Sequence, residues 1–426
     1  MKKIIDSLIE VELRPALGCT EPISVALTAS VAGKKLLELN DEPEEITVSL
    51  DKNVFKNGKV VEIPTPVPLR GNVFAAPLGA YIASPEKGLE ILQNVSEEIC
   101  FKAKNLVGSG KVHVQIAEGV KNLYVNILIK GKNGNVVEAC SKERHDNLVM
   151  IKVNNAVIFE SASGSVSANN SSEYSSIRTF DFYDALKSIE LEQSWIEKFR
   201  TSISMNKKVM QAGLSGLGSG VGAKIAQLAS GECSQNFLIS RCAAAVDARM
   251  AGVTMPVMSV TGSGNQGLII FLSHHLQGEL QKKTETEVFR SLILAIFLAS
   301  KIKCFSGRLS ALCGCVIASG LACSAGLSMM EALPYSAVEA AFNIMTSDIM
   351  GILCDGAKGS CALKAATGVN SMLRSVKLAK MGMQIPYDEG IIGKSIDETI
   401  INIGKISNPG MLETDVEILK ILSAKS

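Results

Sequence analysis

The chain has 426 residues, with 43 Lys and Arg against 42 Asp and Glu, a net charge of +1, and only 5% aromatic residues. That length allows two or three domains with a sizeable core. The balanced charge provides no basic footprint for nucleic acid or an anionic membrane, and the scarcity of aromatics excludes a base-stacking platform.

The first residues, MKKIIDSLIEVELRPALG, place Asp6, Glu10 and Glu12 within an apolar stripe. This predicts an amphipathic helix rather than the unbroken apolar core of a signal peptide. The expected location is therefore a reducing cytoplasm, where the 11 cysteines serve as thiols, ligands or catalysts rather than disulfides. Helix is expected over 1–39, interrupted by Pro15 and Gly18, with a fresh start at Thr20-Glu21-Pro22. Cys19 stands just before that start, where a helix dipole lowers a thiol's pKa; filling a helix joint is the competing role.

From Glu45 the pattern alternates apolar and polar residues with β-branched enrichment, which predicts strands. Lys132-Asn133-Gly134-Asn135 is the expected hairpin turn, and a helix is expected near 84–107. Residues 161–176, SASGSVSANNSSEYSS, read as a linker. Beyond it apolar residues recur at helical spacing. The run 309–330 has no charged residue, long enough on paper to span a bilayer. Its Gly, Ala, Ser and Cys content and lack of an aromatic belt favour a buried central helix instead. The fold class is α+β: an N-terminal unit at 1–40 packed on the helical domain, an α/β-sandwich-like domain at 41–165 and a mainly helical domain at 166–426.

Two glycine loops need interpretation. Thr261-Gly-Ser-Gly-Asn-Gln-Gly267 contains G-x-G-x-x-G, but the polar helix GELQKKTETEVF stands where a dinucleotide fold needs an acidic strand end. Gly213–Gly222 lacks the Gly-Lys-Ser/Thr ending of a phosphate loop. Such loops are either tight turns or amide cradles for a carboxylate, with Ser263, Gly264, Asn265 and Gln266 suited to a small amino acid.

Six cysteines fall between Cys304 and Cys361. Cys313, Cys315 and Cys323 fall in one helix candidate, while Cys354 and Cys361 bracket the compact polar loop CDGAKGSC. That loop suits metal ligation from its edges. Cys233, Cys242, Cys304, Cys315 and Cys323 read as core filling. No CxxC pair supports a zinc ribbon or thioredoxin-like chemistry. Spacing alone leaves Cys313 and Cys315 undistinguished.

PALGCTEP at 15–22, KNG at 56–58, His145-Asp-Asn147, AGLSG at 212–216, VDARMAG at 246–252, GSGNQG at 262–267, GRLSALCG at 307–314 and CDGAKGSC at 354–361 run through nearly the whole chain. Together they resemble the L-cysteine desulfidases and their uncharacterised bacterial relatives, akin to the iron–sulfur L-serine dehydratase α-chain. The resemblance implies a 4Fe–4S cluster held by Cys313, Cys354 and Cys361, with Cys19 as catalytic base or as a resting cap on the open iron. It implies a small amino-acid substrate bound by Thr20, Glu21, Asn57, His145, Asn147 and the 263–266 loop. It leaves open the same chemistry on L-serine and a non-catalytic cluster-bearing sensor. It gives a pyridoxal phosphate anchor no place, and implies no nucleic-acid or membrane partner. A helical half this apolar suits self-association. The sequence departs from the family pattern at Pro68–Pro77, PLRGNVFAAP, where the pocket wall is either altered or untouched.

Overall fold

The computed structural model describes residues 1–120, 123–161, 174–228 and 234–425. Most of the expected linker, residues 162–173, lies outside that range, as does Cys233. The buried side chains form two cores. One is built on a six-stranded mixed sheet, the other mainly on helices.

The sheet runs, in spatial order, Val112–Ile116, Pro43–Leu50, Tyr124–Gly131, Val136–Lys142, Leu148–Val153 and Ala156–Glu160. Only the first pair is parallel; the rest are antiparallel. Along Tyr124–Gly131, Val125, Ile127 and Ile129 are buried while their neighbours are less so, the period-two signature of one covered face. The turn through Asn133-Gly134 joins the two central strands as expected, with Gly134 at positive φ. The helices Thr20–Glu38 and Asn72–Ile82 pack against each other, and the first of them also packs on this sheet. The helix expected near 84–107 is divided. Pro85–Glu90 forms a 3-10 turn, Gly88 takes a positive φ, and the α-helix starts only at Glu97, where Ser96 caps it.

The helical half surrounds Ile317–Met330, which is buried on nearly every side. The sequence pattern placed this helix over 309–330, but it begins at Ile317; residues 307–316 form a loop. The run 309–330 is therefore core and loop, and among the described residues no helix is long and apolar enough to cross a membrane.

The N-terminal residues are shared between the cores. The helix Lys2–Glu12 places Ile5, Leu8 and Ile9 in the helical core, whereas Thr20–Glu38 places Ile23, Val25 and Ala29 in the sheet's core. Between them Leu13–Leu17 pairs antiparallel with Pro256–Val260, from Leu13 opposite Val260 to Leu17 opposite Pro256. That two-stranded ribbon fixes Cys19, at the head of its helix, against the helical half.

A buried ion pair makes a second connection. Lys56 of the helix Lys52–Gly58 reaches Asp415 of the C-terminal helix Leu412–Ser423 at 2.5 Å, and both side chains are almost fully enclosed. Removing one member leaves the other charge without compensation in a low-dielectric site. Asp415→Asn is expected to destabilise the protein by about 3–5 kcal/mol in urea unfolding. The double variant Lys56→Met/Asp415→Leu is expected to recover most of that loss. Equal destabilisation by the single and double variants would refute a compensated pair.

Candidate active site

A cavity of about 80 Å³ opens where the two cores meet. Its walls include Cys19, Thr20, Glu21, Asn57, His145, Ser263, Asn265, Gln266, Cys313, Cys354 and Cys361. Residues separated by more than three hundred positions thus face one space.

Glu21 sits in the first turn of the helix Thr20–Glu38 and is buried, 6% exposed. Asn57 Nδ2 donates to its Oε1 at 2.9 Å; the Cys19 thiol donates to Oε2 at 2.9 Å and Thr20 Oγ1 at 3.2 Å. Burial alone pushes this carboxyl up, but His145 and the hydrogen bonds from Cys19 and Asn57 bring it below its ordinary value, so it is a carboxylate. The effect on Cys19 is opposite. Burial, and then the Glu21 charge, push the thiol well above its ordinary value, and neighbouring Arg249 only partly opposes them. The thiolate expected from the helix dipole is therefore corrected to a protonated thiol. Desolvation beside an anion outweighs the field of one helix end.

Cys313 and Cys354 are brought together by backbone. Leu312 and Leu353 form an isolated antiparallel bridge, with Cys313 N–H donating to Ile352 O at 3.0 Å and Cys354 N–H donating to Ala311 O at 2.7 Å. Cys361 opens the helix Cys361–Lys380 at the far end of the CDGAKGSC loop. That loop crosses closely over Lys56, and Gly356 adopts a φ of 101°; a Cβ there would lie 2.9 Å from Lys56 O. Asp355 is held in the loop by Lys358 and Lys364. The Cys354 thiol leans toward Asn57 Oδ1 at 3.7 Å, so one amide contacts both Glu21 and a candidate ligand.

Cys315 also lines the cavity, correcting its reading as a core filler, and its sulfur is 3.3 Å from that of Cys313. Both cysteines lie in the loop before the central helix, not within it. Cys242 and Cys323 are fully buried in the helical core, in keeping with a packing role.

The Thr261–Gly267 segment is the end of a strand that reverses tightly into the helix Gly264–Leu280, which Ser263 caps. Its strand belongs to the two-stranded ribbon, so no parallel sheet stands behind it as a dinucleotide fold requires. Gly264 does not line the cavity; a Cβ there would lie 2.4 Å from Arg249 Nε, so the glycine admits the guanidinium. Asn147 is likewise outside. Its amide donates to Lys142 O at 2.9 Å and closes a turn. The second glycine loop does cradle a carboxylate, but an internal one: Ser219 and Val221 N–H groups donate to Asp247. No residue of Pro68–Pro77 lines the cavity, so the departure from the family pattern leaves its wall untouched.

Four cations of the cavity wall, Arg249, Lys303, Arg308 and Lys364, escaped the sequence reading. Buried Arg249 donates to Asn265 Oδ1 at 2.9 Å and to Gly18 O at 2.5 Å. Arg308 pairs with Glu12 through both carboxylate oxygens. Burial lowers Lys303 to about 8, against the pull of the Cys354 and Cys313 sulfurs. VDARMAG and GRLSALCG contain two of these, but local sequence carries no signal that a distant carbonyl or carboxylate will meet them. Burial lowers the pKa of His145, and its Nε2 has no hydrogen-bond partner among the described residues.

The donor set fits an iron–sulfur cluster. Among the described residues no three His, Cys, Asp or Glu side chains converge on a single metal-ion position. A multi-iron cluster instead takes its thiolates at separate irons. Burial pushes Cys354 and Cys361 up, the latter to about 11, so an enclosed group of thiols is costly to ionise without a bound cation. Cys313, Cys354 and Cys361 would hold such a group, with Lys303 and Lys364 offsetting the charge of bound thiolates.

The family model described as serine dehydratase alpha chain matches residues 86–420. A UPF0597 protein of Geobacter sulfurreducens is 36% identical over 99% of this chain and 98% of its own. UPF0597 proteins of Clostridium botulinum and Clostridium tetani are 33% and 34% identical, covering 100% and 98% of this chain and 99% and 98% of their own.

The site makes a titration order. Cys313 accepts a hydrogen bond from Cys315, which lowers its pKa to about 7, while Cys19 and Cys354 lie above the ordinary thiol value. In metal-stripped protein, iodoacetamide labelling followed by peptide mass mapping should give Cys313 the lowest pH midpoint, near 7. A lower midpoint for Cys19 contradicts the Glu21 geometry.

Proposed function

The chain belongs to the serine dehydratase α-chain family, and from that premise we propose that it is an iron–sulfur lyase eliminating sulfide from L-cysteine, giving pyruvate, ammonia and hydrogen sulfide. The observation supporting this reading most is the meeting of the Cys19–Glu21 pair with Cys313, Cys354 and Cys361 around one small cavity.

β-Elimination needs a base for a weakly acidic Cα proton and a means of stabilising the leaving group. When bound, a 4Fe–4S cluster with one open iron supplies Lewis acidity and affinity for sulfur. The chain's own residues do the rest. Glu21 takes the proton of Cys19, and the resulting thiolate removes the Cα proton. The C–H electron pair becomes the new Cα–Cβ double bond as the Cβ–S bond breaks, its pair leaving with the sulfur as hydrosulfide; the aminoacrylate left behind takes up water to give pyruvate and ammonia. Arg249, close enough to act on the Cys19 thiol, favours the thiolate while it lasts. Substrate carboxylate is suited to the N-terminal end of the Gly264–Leu280 helix, with Ser263, Asn265 and Gln266 beside it. His145, whose Nε2 is unpartnered among the described residues, offers a ring nitrogen for the amino group.

The family description favours one second reading, L-serine losing water at the same site. Anaerobically reconstituted protein given L-cysteine or L-serine is expected to release pyruvate with sulfide from cysteine; pyruvate from serine alone sinks the desulfidase assignment. Cys19→Ala is expected to abolish turnover while retaining the cluster's absorption. Glu21→Gln should lower kcat by about 10²–10⁴-fold, the usual contribution of a placed proton-transfer group. Turnover that survives in both variants removes the pair from the mechanism.

A further inference from the structure

A second and much larger concavity, about 590 Å³, lies apart from the cysteine cavity and shares no residue with it. Its walls are the helix Gln193–Leu214, the helix Gly264–Leu280 and the turn into the helix Glu285–Ser306. Buried Ile203, Val288 and Phe289 lie among its lining residues and give it an apolar floor. This volume is in the range of small-ligand sites, which combine an apolar lining with few polar groups.

The rim is cationic. Arg200 is matched by Glu285 and Lys283 by Glu287, and Lys207 shares Glu279 with His275. Burial pushes His275 down, and its Nε2 lies 3.0 Å from Lys207 Nζ. Lys208, on the Gln193–Leu214 helix, and Lys282, just past the Gly264–Leu280 helix, line the groove with no ion-pair partner among the described residues. An apolar floor with two unmatched ammonium groups in the same lining is complementary to an organic acid with an apolar body.

The groove also bears on the catalytic cavity. Asn206, on the helix that supplies Lys207 and Lys208, accepts from Met258 N–H at 2.8 Å and donates to Gly267 O at 3.2 Å. It thus grips the ribbon strand and the first turn of the helix that presents Asn265 and Gln266. His275 and Glu279 lie further along that same helix. We propose that this groove is an effector site for a small aromatic acid, held between the Gln193–Leu214 and Gly264–Leu280 helices. A ligand there ties together the two helices that frame the amino-acid loop. The proposal does not depend on which amino acid the cavity takes.

The test uses the full chain and 8-anilinonaphthalene-1-sulfonate, an aromatic sulfonate whose fluorescence reports binding. One molecule is expected to bind per chain. Its affinity should fall at least about tenfold in Lys208→Glu/Lys282→Glu and be lost in Ser204→Trp, which fills the groove from an exposed wall position. Indole-3-carboxylate or adenosine 5′-monophosphate should displace it, identifying the acid as carboxylate or phosphate. Unchanged affinity in both variants, or displacement by inorganic phosphate alone, overturns the assignment.

Discussion

A carboxylate taken out of water must be repaid in hydrogen bonds or charge, and Glu21 imposes that requirement on the whole site. Its oxygens engage Asn57, Cys19 and Thr20, which draws in the helix Lys52–Gly58 and the head of the helix Thr20–Glu38. Asn57 passes the constraint on, because its other amide atom faces Cys354. Lys56, one residue earlier, ties the same short helix to Asp415. The backbone at Gly18 is fixed by Arg249, which also orients Asn265.

The division of labour follows from the two cores. The sheet half contributes Glu21, Asn57 and His145 to the cavity wall. The helical half contributes the cysteines, Arg249 and Lys303. Ser24 Oγ donates to the His145 carbonyl at 2.8 Å, so the helix that carries Glu21 also sets the height of the histidine. Positive charge near the sulfurs comes from buried Lys303 and half-buried Lys364. Electrostatic support is therefore in place on the side where thiolates would be.

Much of this was legible in the sequence, for physical reasons that differ by segment. CDGAKGSC is readable because a polar loop between apolar flanks has few other reasons to hold two cysteines. The sheet is readable because Val125, Ile127 and Ile129 alternate. The reading failed where tertiary context decides. The charge-free run 309–330 looks like one helix, but the bridge between Leu312 and Leu353 claims its first residues for a loop. Cys315 looks like filler until its sulfur is seen beside that of Cys313. Cys19 was given a dipole-lowered pKa because the helix start is local information. Burial of the thiol and then the Glu21 anion reverse that shift; the anion is only two residues away, but the burial of both is set by the rest of the fold. Asn147 shares a tripeptide with His145 yet serves the turn instead.

The ribbon between Leu13–Leu17 and Pro256–Val260 also has a bearing on biosynthesis. On the ribosome the first of these strands has no partner until the second emerges. At about 5–20 residues per second this leaves the N-terminal segment waiting on the order of tens of seconds. Throughout that interval Cys19 lies on an unfinished chain, outside the electrostatic setting that keeps its thiol protonated. Cys361 emerges later still, and the Asp415 anchor after it. The cluster proposed for Cys313, Cys354 and Cys361 would then be loaded only after all three have emerged, and nascent chains would rely on a reducing environment to keep their early thiol intact.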